Sequence, residues 1–211
     1  MNVLHPQKKM MSFRILVVRG ILLIGFVSMT LGNNVYGQSK VGINTKVVNA
    51  EVKKNFGAEN FKLEELTVAS SDDEVLNGVF ASVLINEQVV GFAYVGRVNS
   101  CRTGGCSVSK EELKADGTHE YFDYLVLFDH RVSVKLVKVI NYQASHGHEI
   151  SARGWLKQFI GYNGEDEMQV GKNIDAISGA TISVYAITND VNRITRMLAV
   201  MQRNNLLTVR N

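Results

Sequence analysis

The chain has 211 residues, of which 45% are apolar and 20% charged. That is the balance of an ordinary globular protein with room for one compact domain and a short targeting segment. Its formal net charge is +3, but Lys8, Lys9, Arg14 and Arg19 lie in a stretch without Asp or Glu, and removing these four cations leaves the remainder at −1. The basicity therefore belongs to the N-terminus, and no basic surface for nucleic acid is expected on the folded body.

The first forty or so residues read as an export signal. The four cations form a charged leader, and Gly20 to Leu31 is an uncharged, mostly apolar run of twelve residues. A spanning helix needs about 20 apolar residues, so the run is short for a permanent anchor. Val35 and Gly37, ahead of Gln38, suit the small or apolar positions of a cleavage site. The expected division is an export segment over 1–37 and a single domain over 38–211. The other reading is an uncleaved anchor extended by Ile15 to Val18. On either reading the body lies in the periplasm or on the outer face of the cytoplasmic membrane. No Cys stands just after the apolar run, so a lipid anchor is not indicated.

In the body, Val48, Val52 and Phe56 recur at helical spacing, with Asn44 able to cap that helix and Gly57 to stop it. Asn77 to Ile85 and Gln88 to Val98 are rich in Val, Phe, Ile and Tyr, and Asn86-Glu87 between them predicts a β-hairpin. Tyr121 to Phe128 and Val132 to Tyr142 predict a second hairpin around Asp129-His130-Arg131. The imperfect alternation of its second arm fits a sheet with one face buried. Between the hairpins, CRTGGC holds both cysteines, Cys101 and Cys106. In an exported protein these can close a small disulfide loop, either as a staple or as a redox-active pair. A zinc site would need further ligands, and the spacing is not that of covalent haem. The charged piece from Lys110 to Glu120 is expected to be exposed.

Ser151 to Ile160 predicts a short helix carrying Trp155, Leu156 and Phe159, and Gln169 to Ile174 a short strand. Ser183 to Gln202 is the clearest helix, with Val184, Ile187, Val191, Ile194 and Leu198 forming one apolar stripe. Leu206 to Val209 can add a last strand. The sum is an α+β domain, an antiparallel sheet of hairpins with flanking helices.

Ahead of the long helix stands Asp175 to Ser183, read DAISGATIS. Gly179 and Ala180 leave the backbone uncovered before Thr181, and free N–H groups in a first helical turn favour a bound phosphate. Ser178 and Ser183 can add hydrogen bonds to phosphate oxygens. Taken by themselves, Asp and Ser before a helix are also common caps, and Gly-Ala a common packing pair. The stretch is not a P-loop, no G-x-S-x-G elbow exists, and no dinucleotide fingerprint follows a strand.

DAISGATIS resembles the flavinylation motif D-x-x-(S/T)-G-A-T-x-(S/T) of the FMN-binding domain family. That family includes the G subunit of the Rnf complex and the C subunit of the sodium-pumping NADH:quinone reductase. Asp175, Ser178, Gly179, Ala180, Thr181 and Ser183 fill every specified position. The resemblance implies FMN joined by a phosphoester to Thr181, a flavin transferase that attaches it, and a membrane-bound or periplasmic redox partner. It also implies an outward-facing domain built on a sheet with helices. Upstream, Tyr142, His146, Gly147 and Glu149, then Trp155, Phe159 and Gly161, follow the family's order of a His and Glu region and an aromatic helix. Where members from pumping complexes often have H-x-E-T-P-G, this chain has HGHEISARG. On this resemblance Asp175 is expected to bind the metal that assists transfer or to cap the turn. Trp155 is expected to stack on the flavin or to pack its helix. His146 or His148 can contact the flavin edge, and Glu149 can orient such a His or cap the next helix. Three functions follow in order: an electron carrier, a reductase in which flavin and the Cys101–Cys106 pair exchange electrons, and a non-flavinylated binding module of the same fold.

Overall fold

The computed structural model describes residues 42–67, 76–102 and 119–209. The expected export segment and Cys106 lie outside the described residues, and of Cys101 only its place in a strand is described.

The first element is helix α1, Lys46–Phe56. Thr45, not Asn44, caps it, its side chain accepting from the Val48 N–H, and Gly57 ends it in the left-handed conformation. Five strands then run as a meander: β1 Lys62–Thr67, β2 Gly78–Ile85, β3 Gln88–Arg102, β4 His119–Asp129 and β5 Val134–Tyr142. After a short helix α2, Arg153–Leu156, and the long helix α3, Thr181–Arg203, a two-residue strand β6, Thr208–Val209, returns to pair antiparallel with β1. The sheet order is β5-β4-β3-β2-β1-β6. The fold is the α+β arrangement expected, an antiparallel sheet with helices packed on it.

Both hairpin turns are built by unusual backbone. Asn86 and Glu87 take φ of 51° and 60°, so both central residues of a two-residue loop are left-handed, as a turn matched to the strand twist requires. The second turn is closed by Asp129, whose Oδ1 accepts the N–H groups of Arg131 at 2.8 Å and Ser133 at 2.9 Å. It puts Val132 at φ 64°, a costly conformation for a β-branched residue. Complete burial of the Val132 side chain in the core offsets that cost.

Side chains alternate across the strands, and the two faces differ in size. One face carries Phe80, Tyr94, Phe122, Tyr124, Val126 and Phe128, and the buried stripe of α3 packs on it. The other carries Ala81, Val83, Ala93, Val95, Leu125 and Leu127, on which Val48 and Val52 of α1 rest. The expectation of a sheet with one buried face is thus corrected: helices cover both, and β4 is buried on either side. The nearly unbroken apolar run of β4 is what a strand with two covered faces needs.

The stretch from Ser151 to Ile160 is shorter in α-helix than expected. It resolves into a 3₁₀ turn over His148–Ser151, the four residues of α2, and a second 3₁₀ turn over Lys157–Phe159. Gln169 to Ile174 is no strand but a tight turn closed by one bridge between Val170 and Ile174. Buried Asn192 of α3 pins the chain just before that turn, donating to the Met168 carbonyl at 2.8 Å and accepting from the Met168 N–H at 3.1 Å.

Candidate functional site

Helix α3 begins at Thr181 with an unusual start. Its N-cap is Ala180, which offers no side-chain acceptor, and no acidic residue lies in the first turn. The backbone N–H groups at this end are therefore free of a side-chain cap and carry the positive end of a helix of 23 residues. Thr181 is exposed, as are Ser178 and Gly179, while Ala180 is buried against the core. Gly179 has φ 81° and open space around it, so it turns the chain into the helix without covering the end.

The loop leading to this helix is held from outside the motif. The indole N–H of Trp155 donates to the Asp175 carbonyl at 2.8 Å, and Gln158 Oε1 accepts the Asp175 N–H at 2.8 Å. Gln158 in turn donates to the Trp155 carbonyl at 3.1 Å. Trp155 is only 8% exposed and meets the Phe159 ring edge-on at 5.4 Å. Its indole packs its helix and fixes the start of the loop. The Asp175 side chain stands exposed.

Ser183 faces the opposite way from Thr181. It is 2% exposed, and its hydroxyl lies 2.9 Å from that of Ser100 at the end of β3 and 3.2 Å from that of Tyr142 at the end of β5. Tyr142 also donates to the His146 carbonyl at 2.5 Å, and its ring stacks on Phe122 at 5.6 Å. Burial is the chief cause that raises the Tyr142 hydroxyl above its ordinary pKa, so it stays a neutral donor at physiological pH. The last Ser of the motif thus bolts the helix start to two strand ends. His146, by contrast, is exposed and enters through its carbonyl. The Glu149 carboxylate faces His148 at 3.9 Å, and no side-chain cap is formed at α2.

The junction depends on Gly147. It is buried at φ 86°, and a Cβ there would lie 2.7 Å from Ser183 Oγ. Gly147→Ala is expected to cost about 2 kcal/mol through left-handed strain and displacement of Ser183. That should read as a melting midpoint lower by roughly 4–8 °C, whereas Gly154→Ala, with open space around it, should move it little.

Tyr185 is a further candidate that the sequence did not single out. It lies one turn beyond Thr181 and is 49% exposed, so its ring is on the Thr181 side of the helix. Its signal in the sequence is the four-residue step from Thr181. Ser100, Tyr142 and Gln158 complete the site's support.

An antiparallel sheet that presents a free helix start, with a hydroxyl on its first residue and its loop bolted in place, defines a domain suited to holding a phosphate-bearing cofactor. Residues 38–196 match the FMN-binding domain family, and the chain belongs to that family. No curated protein matches the chain. The residues present fit a flavin phosphate. Thr181 and the uncapped first turn offer a hydroxyl and N–H donors toward it, and the Gly179 backbone leaves the approach clear.

Proposed function

We propose that this domain carries FMN as a phosphoester on Thr181 and serves as an electron carrier on the far side of a membrane. The observation that carries this reading is the exposed Thr181 hydroxyl on the first residue of an uncapped helix, inside a stretch that fills every position of the flavinylation motif. The first-turn N–H groups would hold the phosphate, and Ser178 is exposed beside it. Ser183, through Ser100 and Tyr142, would keep the helix start in register. Trp155 and Gln158 would keep Asp175 in place, where its exposed carboxylate can serve the metal that assists transfer. FMN supplies the redox chemistry when bound, and the protein positions and tunes it. A covalent link suits an exported protein, from which a loosely bound flavin would be lost.

The test is intact mass after co-expression with a flavin transferase. A gain of one FMN less one water that survives unfolding supports the reading, and the mass of the unmodified polypeptide refutes it.

One observation favours a second reading. β3 runs from Ser100, whose hydroxyl touches Ser183, directly into Cys101. A Cys101–Cys106 disulfide that exchanges electrons with the flavin would make the domain a reductase. Cys101→Ser with unaltered flavin turnover would remove that reading.

A further inference from the structure

Away from Thr181, a cleft of about 310 Å³ wraps the edge strand β5 between α1 and α2. Lys54 comes from α1, Lys135 and Lys138 from β5, and Arg153 and Lys157 from the α2 region. Among the described residues, the one carboxylate lining the cleft is Glu51, paired with Lys138 at 2.6 Å. The hydrogen bond from Lys138, aided by the charges of Lys138, Lys54 and Arg153, holds the Glu51 carboxyl below its ordinary pKa. Lys135 lies over the Phe56 ring at 5.2 Å. Lys54, Arg153 and Lys157 form no ion pair among the described residues and are exposed. This excess of cations stands on a body whose own net charge is −1 once the N-terminal leader is set aside. It is a local concentration, not a share of a basic surface.

The cleft is also apolar. Leu156 forms part of its wall, and Ile160 is 51% exposed at its mouth. Its floor is an edge: the main chain of Val134 is already paired with Gly161 and Tyr162, and among the described residues no strand follows on the outer side of β5. Edge main chain, cations on both banks and apolar side chains between them match an extended segment that alternates acidic and apolar residues.

We propose that this cleft is a docking site for an acidic, extended segment of a partner protein, laid along β5. The inference goes beyond the flavin reading and does not depend on it. It does place the partner beside α2, the element whose Trp155 fixes the loop to Thr181.

The experiment uses the full chain and a short amidated peptide of alternating glutamate and leucine, labelled for fluorescence anisotropy at low ionic strength. The peptide should bind, and binding should fade with added salt. Combining Lys54→Glu, Arg153→Glu and Lys157→Glu should weaken it by more than about tenfold. The same change of charge at Lys46, Lys62 and Arg203, which are exposed elsewhere, should alter it less than about twofold. Melting curves of both triple variants check that each is folded. No binding, equal binding of the lysine–leucine counterpart, or equal losses in both triples would overturn the proposal. So would displacement of the peptide by millimolar octanoate with the same dependence on the cleft cations, since the cleft would then be a small-anion site. Because the readout is peptide binding, Thr181→Ala leaves it unchanged, and a failure of flavin attachment cannot be mistaken for a failure of docking.

Discussion

Thr181→Ala, produced beside a competent flavin transferase, will have the mass of its amino acids alone and show no flavin fluorescence after denaturation. Thr181→Ser will keep both the added mass and the fluorescence, because the hydroxyl remains at the same atom of the backbone frame. The alanine variant will also stay folded. Thr181 is exposed, its side chain caps nothing, and it occupies the first position of α3, where alanine is at least as good a helix former. The loss is therefore chemical and all-or-none, not a consequence of unfolding. Equal melting curves for Thr181→Ala and the unmodified wild-type polypeptide would establish this. A Thr181→Ala protein that still gained the mass of a bound flavin would move the attachment point elsewhere and end the argument for this hydroxyl.

The largest loss of stability is expected at the opposite side of the same helix. Asp190 accepts from the Tyr124 hydroxyl at 2.5 Å and from Arg193 Nε at 3.0 Å, with the Arg193 Nη2 also against it. Burial, first, and the nearby Asp190 charge push the Tyr124 hydroxyl well above its ordinary pKa, so it is a neutral donor. Asp190→Ala would leave a buried hydroxyl and a guanidinium without their shared acceptor, at a cost of about 3 kcal/mol. Tyr124→Phe removes one donor and leaves the Asp190–Arg193 pair, so about 1 kcal/mol is expected. Urea unfolding of the two variants should therefore give clearly different midpoints with similar slopes. Equal losses would mean that the hydroxyl, not the ion pair, dominates.

The contrast between Thr181 and Asp190 bears on how the fold could be read from residues. The stripe of α3 was legible because five apolar residues repeat at helical steps, and all five are buried. The hairpins were legible because β-branched and aromatic runs flank short polar turns. β1 was not foreseen: KLEELT places its two leucines three apart, which is helical spacing, and charged residues break the alternation. Its strand state is imposed by pairing with β2. The one-faced sheet was a misreading of β5, whose position at the edge leaves it less covered than β4. The turn at Val170 likewise owes its shape to Asn192 holding Met168 in place, a contact across 24 positions of sequence.

At the site, the motif was legible because its chemistry is contiguous. Its support was not. Ser100 and Ser183 lie 83 residues apart and meet only because the ends of β3 and β5 come up beside the start of α3. Trp155 shows the same limit. Nothing in its sequence neighbourhood pointed to the contact it makes with Asp175, which lies across a turn of chain.

The far edge of the sheet has a consequence of its own. β6 covers only Leu66 and Thr67 of β1, so among the described residues the outer side of Lys62 to Glu65, away from β2, borders no other strand. Along it stand Lys62, Glu64 and Glu65, with Lys62 and Glu64 paired at 2.5 Å. Such charges discourage two molecules from zipping their sheets together. Replacing them with threonine or valine would be expected to make the protein self-associate into fibres while leaving the Thr181 end of α3 untouched.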